Sequence, residues 1–225
     1  MCHFKGIKVS DKKRRSTTIA KRLIISTFLL SLLYVVVRYH IFGGVEWREF
    51  PLYTFNKTMA LAGFLLVTYN FSFGPFKNIG VNIPDTWLAA RNTLAMTGFF
   101  FLLIHVFISF LLFSPAHYGQ FFEADSTLTF TAGLSMLAGI IGFVLLWMMN
   151  ITFQSYMRDN EAFVTFITSR KFLLWALTFG GLHLLFMGYS GWINPSGWHA
   201  GIPPVSLVAM LFFVVAYLAN VIGRK

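Results

Sequence analysis

Residues 91–113 read Arg91-Asn-Thr-Leu-Ala-Met-Thr-Gly-Phe-Phe-Phe-Leu-Leu-Ile-His105-Val-Phe-Ile-Ser-Phe-Leu-Leu-Phe113. After the opening arginine, no side chain in this stretch carries a permanent charge. A helix needs about 20 mostly apolar residues to cross the hydrocarbon core of a bilayer, and this run is long enough. It is rich in Phe and Leu and shows no strict alternation, which favours a helix over a barrel strand. The same reading holds for residues 22–42, 56–76, 128–153, 171–191 and 203–223, separated by short segments rich in Gly, Pro, Asn and charge. The expected fold class is an all-α membrane protein, a six-transmembrane-helix bundle. Composition agrees: of 225 residues, 56% are hydrophobic and 12% charged, and a soluble domain carries about twice that charge.

The basic residues predict the orientation. Lys5, Lys8, Lys12, Lys13, Arg14, Arg15, Lys21 and Arg22 precede the first span. Placing them in the cytoplasm also places Lys77, Arg91, Arg158, Arg170, Lys171, Arg224 and Lys225 there, and leaves only Arg38, Arg48 and Lys57 on the outer side. Both termini are therefore expected to be cytoplasmic under the positive-inside rule. The net charge of +10 reads as this topology signal, with anionic-lipid contact by the arm, and not as a nucleic-acid footprint. Residues 1–21 are expected to form a basic cytoplasmic arm, and residues 22–225 the membrane domain. The first apolar run exceeds a signal-peptide core and has no small-residue cleavage site before Arg38 and Tyr39, so it reads as an anchor. The expected location is a cell membrane, plasma or inner. One cysteine, Cys2, allows no internal disulfide and no Cys-ligated zinc or iron–sulfur cluster.

Six histidines are then the scarce chemistry. His105 and His183 each lie deep inside an apolar run, where an ionisable residue is costly and marks function by default. His105 follows Arg91 by 14 residues and His183 follows Lys171 by 12. At ~1.5 Å per residue both imidazoles stand roughly 18–21 Å above the inner ends, at nearly one height. Two neutral imidazoles at one depth can clamp a metalloporphyrin from both faces. Gly98 and Ala95 below His105, with Gly180 and Ala176 below His183, would leave a slot for a flat ligand. Small residues also serve simply to let helices pack closely.

The stretch from Arg91 to His105-Val resembles the third transmembrane helix of ferric-reductase-like domains, in particular the STEAP metalloreductases. The stretch His183-Leu-Leu-Phe-Met-Gly188-Tyr, with Pro203-Pro204 opening the next span, resembles their fifth and sixth helices. Ala95 stands where the family usually has Gly. The resemblance implies a haem b in the outer leaflet, with His105 and His183 as axial ligands of the iron. It implies electrons carried outward from a cytoplasmic flavin to an outer acceptor: a ferric or cupric ion, oxygen or a redox partner. It also includes Arg91, at the inner end. The family's larger members append a nicotinamide- or flavin-binding domain. Here no G-x-G-x-x-G opens a βαβ unit, so the expected donor is a partner reductase or a loosely held FAD or FMN. The chain reads as an oxidoreductase or an oxidoreductase membrane subunit, and a homo-oligomer is compatible with it. The rival classes are a proton-relaying transporter and a cofactor-free assembly protein. No Asp or Glu lies inside any expected span, which argues against a proton relay.

Other candidates carry less. Arg38 and His40 end the first span and are placed to bind haem propionates, or to snorkel. His117 and His199 follow Pro115 and Asn194-Pro195 and read as loop histidines. With Glu123 and Asp125 they form a candidate outer mouth for a metal-ion substrate. Trp47, Trp192 and Trp198 read as an aromatic belt. Phe99, Phe100 and Phe101 read as an inner route toward the haem or as ordinary packing, and Met148 and Met149 as packing. Lys77, Arg91, Arg158, Arg170 and Lys171 form an inner basic rim suited to a flavin pyrophosphate or an acidic reductase. Asn56-Lys-Thr is a glycosylation sequon in a host that glycosylates.

Overall fold

The computed structural model describes residues 3–152, 154, 157 and 159–223, residues 3–13 by backbone alone. Cys2, Arg158, Arg224, Lys225 and Phe153, the expected end of the fourth span, lie outside the described residues. Among those described, the only strand-like pairing is an isolated bridge between Phe122 and Leu128. The α-helices are α1 (His3–Val36), α2 (Phe55–Asn78), α3 (Asp85–Leu112), α4 (Pro115–Tyr118), α5 (Phe130–Ile151), α6 (Glu161–Ile167), α7 (Arg170–Trp192) and α8 (Val205–Ile222). Six stretches are long and apolar enough to cross a membrane: Arg14–Ile41, Trp47–Asn78, Asp85–Leu112, Phe130–Ile151, Arg170–Trp192 and His199–Ile222. The chain is thus a multi-pass integral membrane protein, with one helix for each expected span.

The backbone of residues 3–21 belongs to α1, which runs unbroken from His3 into the first span. One boundary differs from expectation: Arg91 does not open its helix. Pro84 precedes α3 and its carbonyl accepts from the amides of Trp87 and Leu88, so the helix starts at Asp85. Elsewhere the starts follow local chemistry. The side-chain oxygens of Thr129, Asn160 and Ser169 accept from the amides of Ala132, Phe163 and Phe172, and so cap α5, α6 and α7.

The helices form two close pairs. α2 packs along α3, and α5 along α7; α8 bridges α2 to α7, while α1 flanks α2 and α3. α2 is the central helix. Its most apolar stretch is 67% buried, against 17–39% for the other spans. The remaining faces present Leu29, Leu30, Phe107, Phe110, Leu111 and Phe130 outward, as lipid-facing helices do. Contact between α3 and α5 is thin, so a gap remains between the two pairs.

The α2–α3 pair explains one of the small residues. A β-carbon on Gly98 would stand 2.9 Å from the Gly63 carbonyl oxygen, and one on Gly63 would stand 2.9 Å from the Gly98 carbonyl oxygen. Neither fits without separating the helices, an overpacking cost of about 1–3 kcal/mol. Gly98 and Ala95 are both buried. Of the two readings open for these small residues, close helix packing is the one Gly98 fulfils.

At one end of the bundle, α2, α7 and α8 meet basic residues. Lys77 pairs with Asp85 at 2.7 Å, and Arg170 donates to the Val221 carbonyl at 2.7 Å. At the opposite end the chain leaves α1 through a π-turn, Val37–Ile41, and enters α2 through another, Phe50–Thr54. His40 clasps the two. Its Nδ1–H donates to the Val45 carbonyl at 2.7 Å, its Nε2 lies 2.7 Å from the Thr54 hydroxyl, and Trp47 stacks on its ring at 4.3 Å.

Candidate functional site

His105 on α3 and His183 on α7 line the same gap from opposite helix pairs. It is a cavity of about 400 Å³ with mostly apolar walls from Leu102, Phe110, Phe113, Ile140, Phe143 and Leu146. Both histidines also border a second, more polar cavity of about 510 Å³ toward the π-turn end, lined by Arg38, Lys57, Tyr53, Tyr118, His117 and His199 among others. The two intramembrane histidines singled out by depth are therefore brought together.

Each imidazole is oriented by a partner on a neighbouring helix. His183 Nδ1 lies 2.9 Å from the Ser135 carbonyl on α5, and the Ser135 hydroxyl donates in turn to the His183 carbonyl at 3.2 Å. A carbonyl only accepts, so Nδ1 carries the proton and Nε2 carries the lone pair. His105 Nδ1 donates to the Asn56 side-chain oxygen on α2 at 2.7 Å, while Asn56 Nδ2 donates to the hydroxyls of Ser109 at 3.0 Å and Tyr118 at 3.3 Å. Neither Nε2 has a hydrogen-bond partner among the described residues. This is the arrangement that metal-ligating histidines adopt: one nitrogen held by a fixed acceptor, the other offered outward.

Room beside His183 comes from α5. A β-carbon on Gly139 would stand 2.8 Å from His183 Nδ1, so only a residue without a side chain lets the ring lie there. Gly142, Gly180 and Ala176 line the same cavity. The small residues below His183 therefore border the cavity, joined by Gly139 and Gly142 of α5, whereas Gly98 and Ala95 do not.

The remaining candidates separate. Arg38 is 5% exposed. One of its terminal nitrogens donates to the Ile202 carbonyl, and its Nε, also buried, has no partner among the described residues. It borders the polar cavity. His40, for which propionate binding and snorkelling were both open, is a clasp with both ring nitrogens engaged. Arg91 borders neither of the two cavities that hold the histidines. It lies on the basic side of α3, where its Nε donates to the Asn70 carbonyl at 2.8 Å.

His117 and His199 do line the polar cavity, but Glu123 and Asp125 do not. Asp125 instead accepts from the hydroxyl and amide of Thr127, which hold its carboxyl below the usual range. No group of three or more His, Cys, Asp and Glu suited to a metal ion exists among the described residues, and of the four candidate mouth residues only the two histidines face the cavity. The three phenylalanines diverge: Phe99 stacks on Phe143 at 5.3 Å, Phe100 is exposed, and Phe101 meets Phe28 at 5.8 Å. They form no continuous route. Asn56 is 1% exposed, so the sequon reading fails on burial alone.

Sequence reasoning missed three things here. Asn56 and Ser135, the partners of the histidines, were not singled out as such. Lys57, counted only as an outer charge, borders the polar cavity with its Nζ 4.4 Å from the Tyr53 ring centre. At the basic end, Arg14, Arg15, Arg22, Thr18 and Thr86 border a cavity of about 470 Å³ that was not anticipated. A polar Asn-Lys pair in the first turn of an apolar span was the available signal for the first and third of these side chains. No family model matches this chain, and no curated protein matches it.

Proposed function

We propose that this chain is a ferric-reductase-like haem b membrane protein that passes electrons from a cytoplasmic flavin or partner reductase to an acceptor on the far side. The single observation that carries this reading is the matched pair His105 and His183. Each has Nδ1 tied to an acceptor on another helix and Nε2 unpartnered, and both border one apolar cavity. When bound, haem supplies a one-electron carrier inside the membrane. Everything else required of the chain is binding and orientation. Asn56 and Ser135 fix the tautomers, Gly139 admits the ring of His183, and the aliphatic and aromatic walls keep water from the site. Arg38, with its buried and unpartnered Nε, suits a propionate.

The donor side is the basic end, taken as cytoplasmic with both termini under the positive-inside rule. The arginine-lined cavity there suits a flavin pyrophosphate better than the rim does, since Lys77 and Arg170 are already engaged. The acceptor is a ferric or cupric ion, oxygen or a redox protein. Neither cavity that holds the histidines contains an Asp or Glu among its described lining residues, which weighs against proton relay.

The test is sidedness. The full chain is placed in proteoliposomes of known orientation, and reduced FMN is presented to one face at a time. Reduction of the haem is expected to be faster from the face bearing residues 14–22. Arg22→Ala, in the arginine-lined cavity, and Arg91→Ala, at the rim, are each expected to slow that route and leave the absorption spectrum intact. Equal rates from both faces would count against this account.

A further inference from the structure

We infer that Lys57 is a second carboxylate anchor in this site and that, with Arg38, it holds the two propionates of the porphyrin clamped by His105 and His183. This rests on the haem reading above and extends it to a residue whose charge otherwise reads as topology.

Lys57 follows Asn56 in the first turn of α2, about 100° further round the helix. Asn56 reaches α3, and Lys57 borders the polar cavity. Its Nζ is caged by three tyrosine rings: Tyr53 at 4.4 Å, Tyr39 at 4.9 Å and Tyr118 at 5.9 Å. Aromatic faces stabilise an ammonium group, but they carry no net negative charge to balance it. Arg38 borders the same cavity and also lies against the Tyr39 ring, its Cζ 5.3 Å from the centre, nearly fully buried with its Nε unpartnered. Neither cation pairs with a carboxylate among the described residues, and none of the residues lining this cavity is acidic. Enclosed cations are ordinarily paired. Two of them, facing one cavity with no anion, call for a ligand bearing two negative charges.

The neighbouring cavity narrows the ligand further. The polar and apolar cavities share His105, His183, Phe64, Leu102, Tyr118, Phe121 and Met187. One ligand can thus lay a flat apolar body between the histidines and project an anionic edge toward Lys57 and Arg38. Haem b has that shape, with both carboxylates on one edge. A dicarboxylate from solution would meet the same two cations, but it would leave the apolar cavity unused.

The experiment separates the two sources. Full-length chain from haem-deficient cells is titrated with haem and with haem dimethyl ester, in which both carboxylates are blocked. Wild type, Lys57→Met and Lys57→Arg are compared by the Soret band. Wild type is expected to bind haem at least about tenfold more tightly than the ester, the scale of a charge-assisted hydrogen bond. Lys57→Met is expected to lose about tenfold for haem and nothing for the ester, and Lys57→Arg to recover most of the loss. Unchanged haem affinity in Lys57→Met, or an equal loss for haem and ester, would overturn the assignment and leave the histidine clamp standing. A Lys57-dependent thermal stabilisation of haem-loaded protein by succinate would assign the cations to a solution anion and overturn it too. Wild type that binds neither porphyrin would overturn the haem reading itself.

Discussion

His105→Ala and His183→Ala are each expected to abolish stable haem retention, whereas His117→Ala and His199→Ala are expected to leave it unchanged; this is the largest effect expected of any substitution here. On the proposed haem reading each intramembrane histidine would supply one of the two nitrogens that hold the iron, so removing either would leave it one protein ligand in an apolar cavity. His117 and His199 border the polar cavity from the short helix and the turn beyond α7. His117 sits after α3 has ended at Leu112, and its nitrogens face the Ser114 hydroxyl at 3.3 Å and Glu49 at 3.7 Å. Neither residue shares the pattern of a nitrogen fixed by a neighbouring helix within the apolar gap. The measurement is haem content after purification, with the fold checked by helical circular dichroism. Retention in both intramembrane mutants would remove the clamp.

Asn56→Leu is expected to weaken haem binding by about 10–100-fold, the usual range for loss of a group that orients a metal-ligating histidine. Leucine keeps the branched heavy-atom shape but accepts no hydrogen bond. His105 would lose the acceptor that holds Nδ1 protonated, and Ser109 and Tyr118 would lose the donor that now links them to it. A shift in haem reduction potential should accompany the loss, because the fixed acceptor raises the basicity of the ligand. Titration of the apo-protein with haem, together with a potentiometric titration of what is retained, reads both. An affinity and a potential equal to wild type would mean that Asn56 merely fills space. For His183 the equivalent acceptor is a backbone carbonyl, which no side-chain substitution removes.

How much of this was legible beforehand depended on whether a property was local. The six spans follow from apolar runs of sufficient length, and the depth match of His105 and His183 follows from counting along helices with a fixed rise. What stayed hidden lies between helices. Gly98 and Gly139 look alike in sequence, yet one closes the α2–α3 seam and the other makes room for a histidine ring. Which role a glycine takes is decided by the helix across from it. Lys57 reads as a charge near a span end until Tyr39 and Tyr118, from α1's π-turn and from α4, surround it. The π-turns themselves have no clear sequence signature, and they decide that His40 is a clasp while Arg38 faces the cavity.

The central claim is that two histidines on two helices hold one haem. Its most direct measurement is the absorption and electron paramagnetic resonance spectrum of oxidised wild-type chain purified from haem-replete cells, with haem counted per chain. Two nitrogen ligands on one iron predict a low-spin ferric b-type spectrum at about one haem per polypeptide. A cofactor-free preparation, a high-spin five-coordinate signal or two haems per chain would contradict it.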